Sequence, residues 1–310
     1  MKTTLFNFVL FLITCTLLIG CSKGITIKGQ FLDALTNKPL ANTSLTIESN
    51  GTVKTNGDGY FEISHLEPFH YYDLKIEPAG YTSVLLHANA PENEQLIEVD
   101  PVSVIAKPLA PGVFVFSNGK YEMISEIRVY RYALEYGAPG VQPNGLAQSK
   151  DGRLTAWYMK TDVISSLPKI PKGAPLVIYS KGISDNKNYY CELAPLFRHE
   201  QKTITGDACG SVEQAIIPEG WYLGLKNLTI GEYDKYCYAP LSYTFERRTL
   251  DQLGCINGQD YIIIPTKLEP GKYSLIATEM DWDPSNSYAM INGVTQEITS
   301  SVAMFEVTQK

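Results

Sequence analysis

The chain has 310 residues, 44% of them hydrophobic, and a formal net charge of −7 at pH 7. That is enough apolar material for one large domain or two ordinary ones, each with its own core. The acidic balance excludes nucleic acid as a partner, since such a surface needs clustered Lys and Arg against phosphates; 20 Tyr against 11 Phe and 3 Trp suit strands and exposed loops.

The chain opens with Lys2 as its only early charge, followed by an apolar run of about 15 residues from Leu5 to Ile19. A bilayer span needs about 20, so the run reads as a secretory signal peptide over residues 1–20. Its end, "LIGC" from Leu18 to Cys21, resembles the lipobox of bacterial lipoproteins. The resemblance implies that Cys21 carries the lipid and becomes the mature N-terminus, that residues 21–24 form the anchored end, and that the membrane is a partner through the acyl chains. It places the protein in the bacterial cell envelope. The non-acidic Ser22 implies the outer membrane under the sorting rule of enteric lipoproteins. The competing reading is an ordinary signal peptide with an incidental cysteine.

Residues 25–106 alternate apolar and polar positions in short runs: "GITIKGQF", "TSLTIES", "GYFEISHL", "YYDLKIEP" and "YTSVLLHA". Period two over such lengths predicts strands, with Leu45 and Ile47 on one face and Thr46 and Glu48 on the other. Asn37-Lys38-Pro39, Asn50-Gly51, Asn56-Gly57-Asp58-Gly59 and Ala79-Gly80 predict the turns. Strands at about ten-residue spacing predict a small β-sandwich.

The stretches "GQFLDALTNKPLANTSLTI", "TNGDGYFEISHLEP" and "YDLKIEPAGYTS" resemble the carboxypeptidase regulatory-like domain, a transthyretin-like sandwich. The family's "D..TG.PL.G..V" turn and "T..DG.F.I..L" hairpin are matched at Asp33, Pro39, Leu40, Asp58, Gly59, Phe61 and Leu66, and its late "Y.L.....GY" at Tyr72 and Gly80-Tyr81. Asn37 and Asn42 stand where the family has Gly, and Asn accepts the left-handed conformation. The resemblance implies a non-catalytic module. "TNGDGYF" also echoes part of a calcium loop, but it lacks the remaining oxygen ligands and the bidentate Glu, so a tight turn is expected.

After the Pro-marked stretch 106–112, residues 111–310 read as a second β-rich, sandwich-like domain, which makes the expected fold class all-β. "GVFVFSNGKYEMI" predicts a hairpin turning at Ser117 to Lys120, and "SKDGRLTAWYM" a second. "APLVIYSKG", "GWYLGLKNLTI", "DYIIIP" and "GKYSLIATEM" predict further strands, whereas "TDVISSL" and "TFERRTLDQL" predict short helices. Cys191, Cys209, Cys237 and Cys255 form an even set suited to an oxidising compartment. Four cysteines allow three connectivities, and equal local spacing favours 191 with 209 and 237 with 255. A zinc site is the rival, weakened by the absence of CxxC pairs.

The search for chemistry is mostly negative, so no catalytic residue, metal site or cofactor is expected. Four His are spread along the chain, with no HExxH and no GxSxG. Ser166 and Lys169 form an SxxK and Ser184-Asp185-Asn186 an SDN, an echo of penicillin-recognising enzymes that Pro168, the close spacing and the missing KTG argue against. Two weak ligand candidates remain. Tyr130, Tyr132 and Tyr136 would share one face of a strand, a platform for sugar rings, although a packed core or a helix explains the same spacing better. Asp281, Trp282 and Asp283 would bind a sugar or cation, or form a plain polar turn before Pro284. The expected function is therefore non-catalytic binding or scaffolding in the envelope, with a glycan as one ligand class within it. The alternatives are a subunit of an envelope protein assembly, or a hydrolase using Glu279, Asp281 and Asp283.

Overall fold

The protein is described by a computed structural model. It describes residues 24–48, 50–67, 71–89, 95–135, 153–159, 161–183, 189–208, 211–217, 219–230, 241–279 and 296–309. The fold is all-β, and the chain divides into two compact units, Met1–Lys107 and Pro108–Lys310.

The first unit holds β1 (Ile25–Asp33), β2 (Ser44–Ile47), β3 (Gly51–Lys54), β4 (Tyr60–Leu66), β5 (Tyr71–Pro78), β6 (Val84–Asn89), β7 (Leu96–Glu98) and β8 (Val102–Val104). They make two four-stranded sheets. One runs β3-β2-β5-β6; the other centres on β1, flanked by β4 on one edge and by β7 and β8 on the other. Burial alternates residue by residue along β1, because one face meets the core and the other meets water. Ile27 and Phe31 from one sheet and Leu45, Ile47 and Ile76 from the other share a single buried cluster. That is a sandwich built as the alternation dictates.

The turns of this unit follow from residue chemistry. Asn37 (φ 55°) and Asn42 (φ 53°) both adopt the left-handed conformation. Asn56 Oδ1 accepts hydrogen bonds from the backbone N–H of Asp58 and Tyr60, each at 2.9 Å, which makes "TNGDG" an Asx turn. Gly59, at φ 78°, has no room for a side chain: a Cβ there would lie 2.8 Å from the Phe31 carbonyl oxygen.

The second unit begins with β9 (Gly112–Ser117) and β10 (Lys120–Met123), then β11 (Glu126–Glu135) and β12 (Arg153–Met159). A 3-10 helix (Thr161–Ser166) precedes β13 (Lys169–Pro171), β14 (Leu176–Tyr179), β15 (Tyr189–His199), β16 (Lys202–Ala208), β17 (Ser211–Ile217) and β18 (Gly220–Leu223). Next come β19 (Leu225–Ile230), β20 (Leu241–Phe245), β21 (Arg248–Thr249) and a single helical turn (Leu250–Leu253). The unit ends with β22 (Ile256–Asn257), β23 (Tyr261–Ile264), β24 (Gly271–Glu279) and β25 (Gln296–Thr308).

Six of these strands close into a ring. The order β11-β12-β18-β15-β24-β25 returns from β25 to β11, and every pairing around it is antiparallel. Closure removes the sheet edges. Val129, Met159, Leu223, Leu196, Ile276, Val302 and Met304 form one buried cluster to which all six ring strands contribute, so the barrel interior is filled by side chains.

One wall of the barrel has a second duty. Cys191 and Leu193 of β15, Leu275 of β24, and Ala303, Phe305 and Val307 of β25 belong to a different cluster, shared with Val113, Val115, Leu176, Ile178, Ile262 and Ile264. Those last residues lie on a five-stranded sheet ordered β10-β9-β14-β23-β22. β25 is therefore apolar on both faces: Val302 and Met304 go to the barrel, and Ala303, Phe305 and Val307 to the sandwich.

Two hairpins leave this body, β16/β17 and β19/β20. The first continues the barrel ladder without a slip: His199 pairs with Gly220 in β15 and β18, and Lys202 with Ile217 beyond them. The β9/β10 hairpin turns where expected, with Asn118 (φ 50°) and Gly119 (φ 75°) between the paired Ser117 and Lys120. Of the two expected helices, the first is the 3-10 helix. The second is helical only over Leu250–Leu253, since Thr244 and Phe245 end β20 and Arg248–Thr249 form β21; ladder bonds from β20 to β19 and from β21 to β15 override helical propensity there.

Candidate functional site

Cys191 lies on β15 and is buried in the sandwich cluster. The ladder that pairs Glu192 with Thr249 and Leu193 with Arg248 lays β21 alongside it. The chain then makes the helical turn Leu250–Leu253, begun by a hydrogen bond from Thr249 N–H to Gln252 Oε1 at 3.2 Å and ended by Gly254 in the left-handed conformation (φ 65°, ψ 45°). Leu250, Leu253 and Cys255 thereby return to pack on the same cluster as Cys191. Burial raises the Cys191 thiol far above its ordinary value, and Cys255 and Glu192 raise it further. Burial, with help from Asp251, pushes Cys255 up to about 11.

Cys191 and Cys255 stand as free thiols in the structure, and the expected bridges of 191 with 209 and 237 with 255 each involve a cysteine, Cys209 or Cys237, outside the described residues.

Beside Cys191 lies a charged pair that the sequence did not single out. Glu192 is only 5% exposed and meets Arg247 Nε at 3.3 Å. The Arg247 guanidinium also sits 4.0 Å over the Phe245 ring and donates from Nη2 to the Leu223 carbonyl at 3.3 Å. Gly224 (φ 74°) makes room for this: a Cβ there would stand 2.6 Å from Arg247 Cγ. The arrangement ties the base of the β19/β20 hairpin to the barrel. It is a structural knot, and a lone Glu and Arg far apart in sequence carry no pattern that would reveal it.

Tyr130 and Tyr132 occupy alternate positions of β11, which settles the strand-or-helix question at that stretch; they pair with Tyr158 and Ala156 of β12. Tyr136, Asp281, Trp282, Asp283 and Cys21 lie outside the described residues. The described histidines are dispersed. His87 Nδ1 meets Asp73 Oδ1 at 2.6 Å on an exposed surface. His199 Nε2 lies 2.7 Å from the Leu225 carbonyl, edge-on to Tyr222. Among the described residues no group of three His, Cys, Asp or Glu is placed to hold a metal ion, and no helix is long and apolar enough to cross a membrane. Ser166 closes the 3-10 helix while Lys169 starts a strand, so the SxxK does not lie on one helix.

No protein-family model matches the chain, and no curated protein matches it. Among solved structures it is similar to BcpA, the major pilin subunit of Bacillus cereus, at 11% identity and a TM-score of 0.23, with 92% of this chain and 70% of that chain covered. A variant of BcpA gives the same values. A likeness at that score defines neither a family nor a ligand.

Proposed function

We propose that this is an exported bacterial lipoprotein of the cell envelope, held in the outer membrane by lipid on Cys21, with a non-catalytic binding or scaffolding role. The observation that carries the proposal is the sequence "LLIGCS" at residues 17–22, with its charged start and apolar run. The first unit supports it as a carboxypeptidase regulatory-like module, since Asn37 and Asn42 take the left-handed conformation that the family's glycines would take there. Within the class, a glycan is the favoured ligand and the tyrosines of β11, with Trp282, are the candidate contacts. The test is a binding screen of Ser22–Lys310 against envelope and host polysaccharides. Binding that falls at least tenfold in Tyr132→Ala or Trp282→Ala supports the reading. Hydrolysis by the purified protein that disappears in Glu279→Gln would overturn its non-catalytic part.

A second reading, a subunit of an envelope protein assembly, is favoured by the β16/β17 ribbon. Among the described residues its strands pair only with each other, and a strand from another chain would extend such a ribbon by pairing along an edge. Under this reading, crosslinking in intact cells captures a protein partner, and a Pro at Thr205 abolishes the capture.

A further inference from the structure

We propose that Cys191 and Cys255 form a disulfide in the mature protein, tying the barrel wall at β15 to the segment that follows the helical turn. Three features place the two together. Cys191 belongs to one buried cluster, and the partly buried Cys255 packs against it. The β15/β21 ladder at Glu192 and Leu193 fixes the start of the helical turn one residue from Cys191. The left-handed Gly254 then reverses the chain, so that Cys255 lies against the same core as Leu250 and Leu253. The electrostatic influence of Cys255 on Cys191 is what close sulfurs produce. Gly254 is exempt from steric objection, since a Cβ there would meet nothing within 4 Å; its use is conformational.

The chemistry is thiol–disulfide exchange with an external disulfide, RSSR. Cys255, the less buried thiol, loses its proton and attacks one sulfur of RSSR. An S–S bond forms to Cys255 and RS⁻ leaves with the electron pair. The Cys191 thiolate then attacks the Cys255 sulfur and expels the second RS⁻. Two protein thiols are oxidised, one RSSR is reduced to two RSH, and both protons go to solvent and then to the leaving thiolates. Because burial holds both thiols protonated, the exchange is slow in the folded, reduced protein and fast before the core closes.

The proposal rests on the export reading only for the oxidant in the cell, so two samples separate them. Full-length protein is taken from membranes with thiols blocked at lysis; a second portion is unfolded, reduced, and refolded with oxidised glutathione. Both are digested without reductant and mapped by mass spectrometry. A peptide pair holding Cys191 and Cys255 that separates on reduction is expected in both. The pair in the refolded sample alone upholds the pairing and counts against export. Pairs of 191 with 209 or 237 with 255, or free Cys191 and Cys255 in both samples, overturn the proposal. In the oxidised protein Cys191→Ala and Cys255→Ala each lower the Tm by roughly 10 °C, for a loop of this length and a domain of this size. The double variant loses no more than either single one; losses that add would contradict a bond.

Discussion

Arg247 neutralises a carboxylate that has almost no access to water, so its removal costs more than a surface ion pair would. Arg247→Ala removes the guanidinium partner of the buried Glu192 carboxylate and is expected to destabilise the second unit by about 3 kcal/mol in urea unfolding; a loss below about 0.5 kcal/mol would mean that the pair contributes no more than a surface one. Gly224→Ala is expected to be comparably harmful, because its Cβ would collide with Arg247 and its φ of 74° penalises any side chain. The thiols give a pH signature. Burial holds the folded-state pKa of Cys255 at about 11 against an ordinary 9.0, so the folded, reduced protein keeps its proton where the unfolded chain releases it. The reduced form therefore loses stability as pH rises from about 9 to about 11, and the disulfide form lacks that loss. Urea midpoints of both forms across this range measure the difference. At this scale the sequence was partly legible. Asn37 and Asn42 declared their left-handed turns because few residues tolerate that conformation. The cysteine pairing was not legible, because four cysteines allow three connectivities and equal spacing alone does not choose among them.

A strand announces itself when one face is wet. β1 and β4 alternate because one side of each is exposed, and the runs around Leu45 and Phe61 were readable for that reason. β25 buries Val302, Ala303, Met304, Phe305 and Val307 by sending alternate residues to two cores, which erases the period-two signal; sequence reasoning missed the strand that closes the barrel. The two-sided role makes a direct prediction. Phe305→Ala empties a site in the sandwich and Met304→Ala one in the barrel; both residues are wholly buried. Losses of about 3–5 and 2–5 kcal/mol are expected. A Met304 variant as stable as the parent would mean that the barrel interior is not packed. The Thr161–Ser166 segment was legible as helical, whereas Thr244-Phe245 and Arg248-Thr249 were not legible as strand because their ladder partners, in β19 and β15, are not their neighbours in sequence.

The two units carry separate cores: one cluster draws only on residues before Lys107, and the other two only on residues after Pro108. Each is therefore expected to fold alone. Residues 24–107 and 108–310, expressed separately, are predicted to melt cooperatively with β-rich circular dichroism; a fragment without a cooperative transition would contradict the division. The shape of the second unit, a closed barrel sharing a wall with a sandwich, depends on pairings between strands far apart in the chain, which is why composition and turns gave its class but not its architecture. The functional account rests most heavily on Cys21. The measurement that tests it is the intact mass and N-terminal sequence of the protein from membranes, with Cys21→Ala beside it. The account predicts a chain that begins at Cys21 and carries thioether-linked diacylglycerol, and a variant that is neither processed there nor lipidated. A mature chain that starts elsewhere without lipid, or a Cys21→Ala variant that is processed and held in the membrane as the parent is, would contradict it.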